Sequence, residues 1–202
     1  MKDLALLVAD KNMDFALRGL LGRPKALGIR MMEYEVLTHV NRDGGVRATG
    51  PETLALLRGQ FNHGILMLDW EGSGSNLSGA LGLEHELDTR LALHWGNRAK
   101  SIVIEPELDA WIWGSDTVLA GIVGWSKTQG IRDWLRDREF QFDQNEKPFR
   151  PKEALEALLW ELNLPRSSAR YKTITDKISL RGCVDRAFRR LRGVLQSWFP
   201  AL

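Results

Sequence analysis

Four short apolar runs punctuate the first half of the chain, and helix-length stretches separate them. "LALLVA" (4–9), "YEVLTHV" (34–40), "GILMLDW" (64–70) and "SIVIE" (101–105) each suit a strand, and the first is apolar throughout, as a strand buried on both faces is. Behind Asn12 as N-cap, Phe15, Leu17, Leu20 and Leu21 recur at helical spacing. "NRDGGVRATGPE" reads as a loop, with Pro51 in the first turn of a helix over "ETLALLRGQF". A longer helix spans about Leu81 to Trp95. Strands joined by helices of this length cannot be hairpin partners, so the order implies an α/β fold. Its sheet is mostly parallel, with flanking helices and right-handed crossovers.

After Pro106 the pattern turns helical, and the polar loop "QFDQNEKPFRP" (141–151) marks a boundary. The expectation is an α/β domain over 1–140 and a basic helical extension over 141–202 packed on it. Residues 1–149 hold 17 Lys/Arg against 21 Asp/Glu, while residues 150–202 hold 11 against 5, so the positive charge is concentrated in the extension. Its helices read as "KEALEALLWEL", "SARYKTITDKISL" and "VDRAFRRLRGVLQSWF". In the last, Phe188, Leu191 and Leu195 share a face while Arg186, Arg189, Arg190 and Arg192 fall elsewhere. Such a helix can lie on nucleic acid, a membrane or a partner, or pack on the sheet with its arginines in water.

Several chemistries are excluded. A lone Cys183 and four histidines make neither a disulfide nor a zinc ribbon. Gly72-Ser73-Gly74 is not completed to a dinucleotide fingerprint because position 77 is Leu, and there is no Gly-Lys-Ser/Thr and no Gly-x-Ser-x-Gly. Leu4 to Ala9 is too short for a signal peptide, and no run approaches the roughly 20 apolar residues of a membrane span. A cytoplasmic protein with no membrane partner is the expectation. Of the eight tryptophans, Trp111, Trp113 and Trp160 read as packing residues, and Trp70 and Trp125 as candidates for exposure.

The acids are the informative residues. In open parallel sheets ligands sit beyond the carboxyl ends of the strands. Asp10 follows the first run, Asp69 and Glu71 the third, and Glu105 and Glu107 the fourth. If the first and third strands are neighbours, at least three carboxylates gather in one cleft. Alternation along an extended segment sets Asp69 and Glu71 on one side and Trp70 on the other. Two such carboxylates repel unless a cation lies between them, and hard oxygen donors suit Mg²⁺ or Mn²⁺. Helix capping also accounts for an Asp at the position of Asp10 and for Glu107, and Lys11 at a helix start is either solvated or steadies a phosphate.

The run of strand, acid, helix, strand, helix, strand and "LDWEGSG" resembles the Toprim domain, and "LLVADKNMDFALRGLL" is similar to that family's first motif. With Lys11 on the family lysine, Ala9 stands where the family has glutamate and Asp10 where it has glycine. Glu71 replaces the second aspartate of Asp-x-Asp. "EPELDAWIWGSD" resembles a motif of small Toprim-like proteins in bacterial defence neighbourhoods, and the whole chain looks like a component of methylation-associated defence systems. The resemblance implies metal-dependent phosphodiester cleavage in an anti-phage system, with other defence proteins and DNA or RNA as partners. Asp69 and Glu71 would hold Mg²⁺, Asp10 would hold a second ion or act as acid/base, and Glu107 would be a fourth catalytic residue. Lys11, Arg186, Arg189, Arg190 and Arg192 would meet nucleic acid. The alternative is a non-catalytic Toprim-like scaffold or sensor that binds other defence proteins.

Overall fold

A computed structural model describes residues 1–178, 180 and 183–201. In chain order these form β1 (Lys2–Val8), α1 (Lys11–Leu21), α2 (Pro24–Leu27), β2 (Tyr34–Thr38), α3 (Arg42–Ala55), β3 (Phe61–Asp69), α4 (Gly79–Trp95) and β4 (Ala99–Ile104). The helical part follows as α5 (Asp116–Val123), α6 (Ile131–Arg136), α7 (Pro151–Glu161), α8 (Ser168–Lys177) and α9 (Arg186–Trp198). Short 3-10 segments lie at Glu71–Ser73, Gly96–Arg98 and Leu108–Gly114. The end of the expected helix "SARYKTITDKISL" includes Ser179, which lies outside the described residues.

All four strands are parallel, in the order β2-β1-β3-β4. Their apolar runs are buried as a double-sided strand requires: Leu4 to Ala9 and Ile65 to Leu68 are essentially inaccessible. From β1 the chain crosses to β2 on one side, and from β2 it returns over β1 to β3 and on to β4. The right-handed rule sends α1 to one face, and α3 and α4, which pack side by side, to the other. The direction of travel reverses between β1 and β3, which makes the crevice beyond their carboxyl ends the place for a ligand.

The residues after 140 share the sheet's core instead of forming a core of their own: Leu155, Leu158, Tyr171, Ile174, Phe188 and Leu195 belong to one apolar cluster with the strands. Helix α8 crosses α1 so closely that a Cβ on Gly19 would stand 2.8 Å from the Lys172 carbonyl oxygen, and the Thr175 hydroxyl donates to the Ala16 carbonyl oxygen at 2.9 Å. Trp111 and Trp113 are buried as expected. Trp160 is not on the packing side; it is 85% exposed.

One stretch departs from expectation in kind. "RDGGVRATGPETLA" is a continuous helix, α3, with Pro51 inside it. Proline there removes the N–H that would reach the Arg47 carbonyl. Arg90 of α4 substitutes for it, donating Nη1 to the Arg47 oxygen at 2.7 Å and Nη2 to the Ala48 oxygen at 2.7 Å while pairing with Glu52. The helix is therefore completed by a neighbour that local sequence does not reveal.

Candidate active site

The strand ends deliver Asp10, Asp69, Glu71 and Glu107 into one cleft of about 580 Å³. The pairing of β1 with β3 brings Asp10 and Asp69 to the crevice where the strand order reverses. Asp43, from the first turn of α3, and Asp109 join them. Neither was singled out by sequence: Asp43 lay in a stretch read as loop, and Asp109 two residues beyond Glu107 repeats the spacing of Glu105 and Glu107.

Each acid is held differently. Asp10, not Asn12, caps α1: one carboxylate oxygen accepts from the Met13 N–H at 3.0 Å. Asp69 closes β3; its N–H donates to Asp43 at 2.8 Å and its Oδ1 accepts from the Leu108 N–H at 2.8 Å. Glu71 is not a continuation of the strand. Trp70 takes helical dihedrals, the chain enters the 3-10 segment, and Glu71 reaches the cleft from an exposed turn. A side chain at Gly72 would collide with Asp43, whose carboxylate carbon would lie 2.8 Å from the added Cβ. Glu107 accepts from the Lys152 N–H at 3.3 Å, whereas Glu105 turns away toward the Ala80 N–H at the start of α4.

Crowding and burial push Asp43, Asp69, Glu107 and Asp109 toward their neutral forms. Burial, reinforced by the Asp43 charge, raises Asp69 well above the usual carboxylate range. Burial also raises Asp43, against the hydrogen bond from Asp69, and takes Glu107 to about 7 with help from the neighbouring Asp109 charge. Asp109 is raised by burial although Arg166 and Tyr171 oppose the shift. The cleft thus holds Glu107, which titrates near neutrality, and three aspartates raised from their usual range, beside three cations, Arg42, Lys152 and Arg166.

The arginines of α9 are placed elsewhere. Arg186 donates to Glu84 at 2.6 Å and to the Val103 carbonyl oxygen at 2.7 Å; Arg190 donates to Asp88 at 2.6 Å and to the Ser101 carbonyl oxygen at 2.9 Å. Both are committed to the outer edge of β4, which corrects the expectation that they are free to meet phosphates. Arg189 and Arg192 reach the Cys183 and Leu180 carbonyl oxygens at the surface. Lys11 is exposed in a shallow groove that adjoins the cleft through Asp10, Asn12 and Arg42.

Comparison with models of known protein families, with curated proteins and with solved structures returned no significant match.

Proposed function

We propose that this cleft binds Mg²⁺ or Mn²⁺ and cleaves phosphodiester bonds, in an anti-phage setting where the chain works with other defence proteins. The observation that carries the reading is the meeting of Asp10, Asp69, Glu71 and Glu107 at the crevice between β1 and β3. Among the described residues no histidine or cysteine lines the cleft, so the donors are hard oxygens, which suit these ions. Among the described residues no three His, Cys, Asp or Glu side chains are already disposed around one ion. Mg²⁺ does not need three, since it keeps several waters and takes one or two carboxylates with substrate phosphates.

Asp69 with Glu71 would hold the ion, and the second oxygen of Asp10 is available to a neighbouring position. When bound, such an ion polarises a phosphoryl oxygen and offsets the negative charge of the transition state. Glu107, titrating near neutrality, is suited to accept a proton from an attacking water or return one to the departing oxygen.

The test is calorimetric titration of Mg²⁺ and Mn²⁺ into wild type and an Asp69→Ala/Glu71→Ala variant, followed by cleavage assays on single- and double-stranded DNA and RNA. Binding that vanishes in the variant, with metal-dependent cleavage, supports the reading. Absence of metal binding in wild type defeats it. A second reading, a non-catalytic scaffold or sensor for other defence proteins, is favoured by one observation: Trp160, a large aromatic on α7, is presented to solvent.

A further inference from the structure

Negative charge lines the floor of the cleft, so a phosphate entering it needs positive partners from another direction. Among the described residues three cations line it: Arg42 from the start of α3, and two from far along the chain. Lys152, in the first turn of α7, and Arg166, between α7 and α8, both line the cleft. Among the described residues no ion pair engages the Lys152 ammonium. Arg166 is held in place: its Nε and Nη2 donate to the Tyr171 hydroxyl at 3.0 and 2.6 Å, Nη2 lies 3.5 Å from Asp109, and Nη1 donates to the half-exposed Glu156 at 2.6 Å, a pairing that a phosphate would have to share or displace. Tyr171 in turn donates to Asp109 at 2.8 Å, and both are nearly inaccessible, at 1% and 3%.

Three ties fix this wall to the floor. Glu107 accepts the Lys152 N–H, Asp109 accepts the Tyr171 hydroxyl, and Ser168 at the start of α8 donates to Asn12 at the start of α1 at 2.8 Å. A buried, fully partnered tyrosine and aspartate behind one arginine is more support than an exposed cation receives, and it sets the guanidinium before any ligand arrives.

We infer that Lys152 and Arg166 form an anion subsite for a phosphate group of the substrate, so that the helical part of the chain, beyond residue 150, completes a site whose carboxylates all come from residues before 110. The inference rests on the phosphodiester reading of the cleft and assigns Tyr171 and Asp109 as positioning residues for Arg166. Lysine provides a mobile point charge and arginine a planar fork, a combination suited to oxygens that shift as a phosphoryl group changes shape.

The probe is inorganic phosphate, titrated into the full chain by calorimetry with excess Mg²⁺ and again with chelator. Wild type, Lys152→Gln, Arg166→Gln and Arg166→Lys are compared, with Lys25→Gln as control because Lys25, on α2, is exposed at the other end of α1. Lys152→Gln and Arg166→Gln should each weaken phosphate about tenfold or more in whichever condition wild type binds, Arg166→Lys should restore only part, and Lys25→Gln should change nothing. Tyr171→Phe should lower affinity severalfold in a protein whose melting temperature shows it folded. If Arg166→Gln fails to fold, Lys152→Gln alone decides. Phosphate binding indifferent to Lys152, or no phosphate binding in either condition, overturns the subsite. Loss of Mg²⁺ binding by wild type, with phosphate binding that still needs Lys152, instead defeats the metal reading and leaves the subsite standing.

Discussion

Arg186 sets its Nη1 2.6 Å from the carboxylate of Glu84, a residue only 3% exposed, and the pair closes the open edge of the sheet. Among the described residues no strand pairs with the outer side of β4, yet the outward backbone groups of Ser101 and Val103 are satisfied. The N–H of Ser101 and Val103 donate to Asp88 and Glu84, one turn apart on α4; their carbonyls accept from Arg190 and Arg186, one turn apart on α9. Four side chains at helical spacing do what a strand would do, and cover an edge that would otherwise invite pairing with another chain.

The arginine pair is therefore structural. Replacing both as Arg186→Met/Arg190→Met leaves the Glu84 carboxylate uncompensated and should cost about 3–5 kcal/mol in urea unfolding. Nucleic-acid binding measured on the folded variant should be unchanged. A variant of wild-type stability that has lost nucleic-acid binding would return α9 to the interface role that its composition suggests.

That contrast marks what the sequence carries. Strands β1, β3 and β4 and the acids at their ends are legible because burial on both faces writes itself as uninterrupted apolar runs, and the residue after the run is fixed at the crevice. The start of α3 was illegible because two glycines and a proline read as loop, and the arginine that completes the helix lies on another element. With it went Asp43. Lys152 and Arg166 carry no local signal, since what makes them site residues is the docking of α7 and α8 against the floor. The charge of α9 was legible, but its destination was set by Glu84 and Asp88, about a hundred positions earlier.

The acid cluster predicts how stability varies with pH. Glu107 rises from 4.5 to about 7, and Asp43, Asp69 and Asp109 are also raised, so between those values the folded chain holds protons that the unfolded chain has released. Stability from this source is fully present below about 4.5 and is lost as pH climbs through about 7. The melting temperature in chelator should fall between about pH 5 and about pH 8, and Glu107→Gln should raise it at the upper value while leaving the lower one unchanged. A melting temperature that climbs across that interval would contradict the proton-holding cleft.

Metal and protons should compete for the same oxygens. Mg²⁺ in excess should raise the melting temperature near about pH 8, where it relieves the repulsion, and raise it less near about pH 5, where Glu107 is neutral and protons compete with the ion for the other raised carboxyls. Asp69→Asn should abolish the increment at the higher pH. An increment equal at both pH values, or retained in Asp69→Asn, would locate the ion outside this cleft.

The junction of Pro51 and Arg90 can be tested by a double-mutant cycle. Arg90→Met in the natural background strands the Arg47 and Ala48 carbonyls, partly open to water, and should cost about 1–2 kcal/mol. Pro51→Ala restores the N–H that the Arg47 carbonyl lacks, so in that background the same arginine substitution should cost less, with a coupling of about 1 kcal/mol. The pair with Glu52 is a competing contribution, and Glu52→Gln measures it separately. Costs that simply add would mean that Arg90 acts through Glu52 alone. Coupling would show that α3, and with it the placement of Asp43 beside Asp69, depends on a guanidinium contributed by the neighbouring helix.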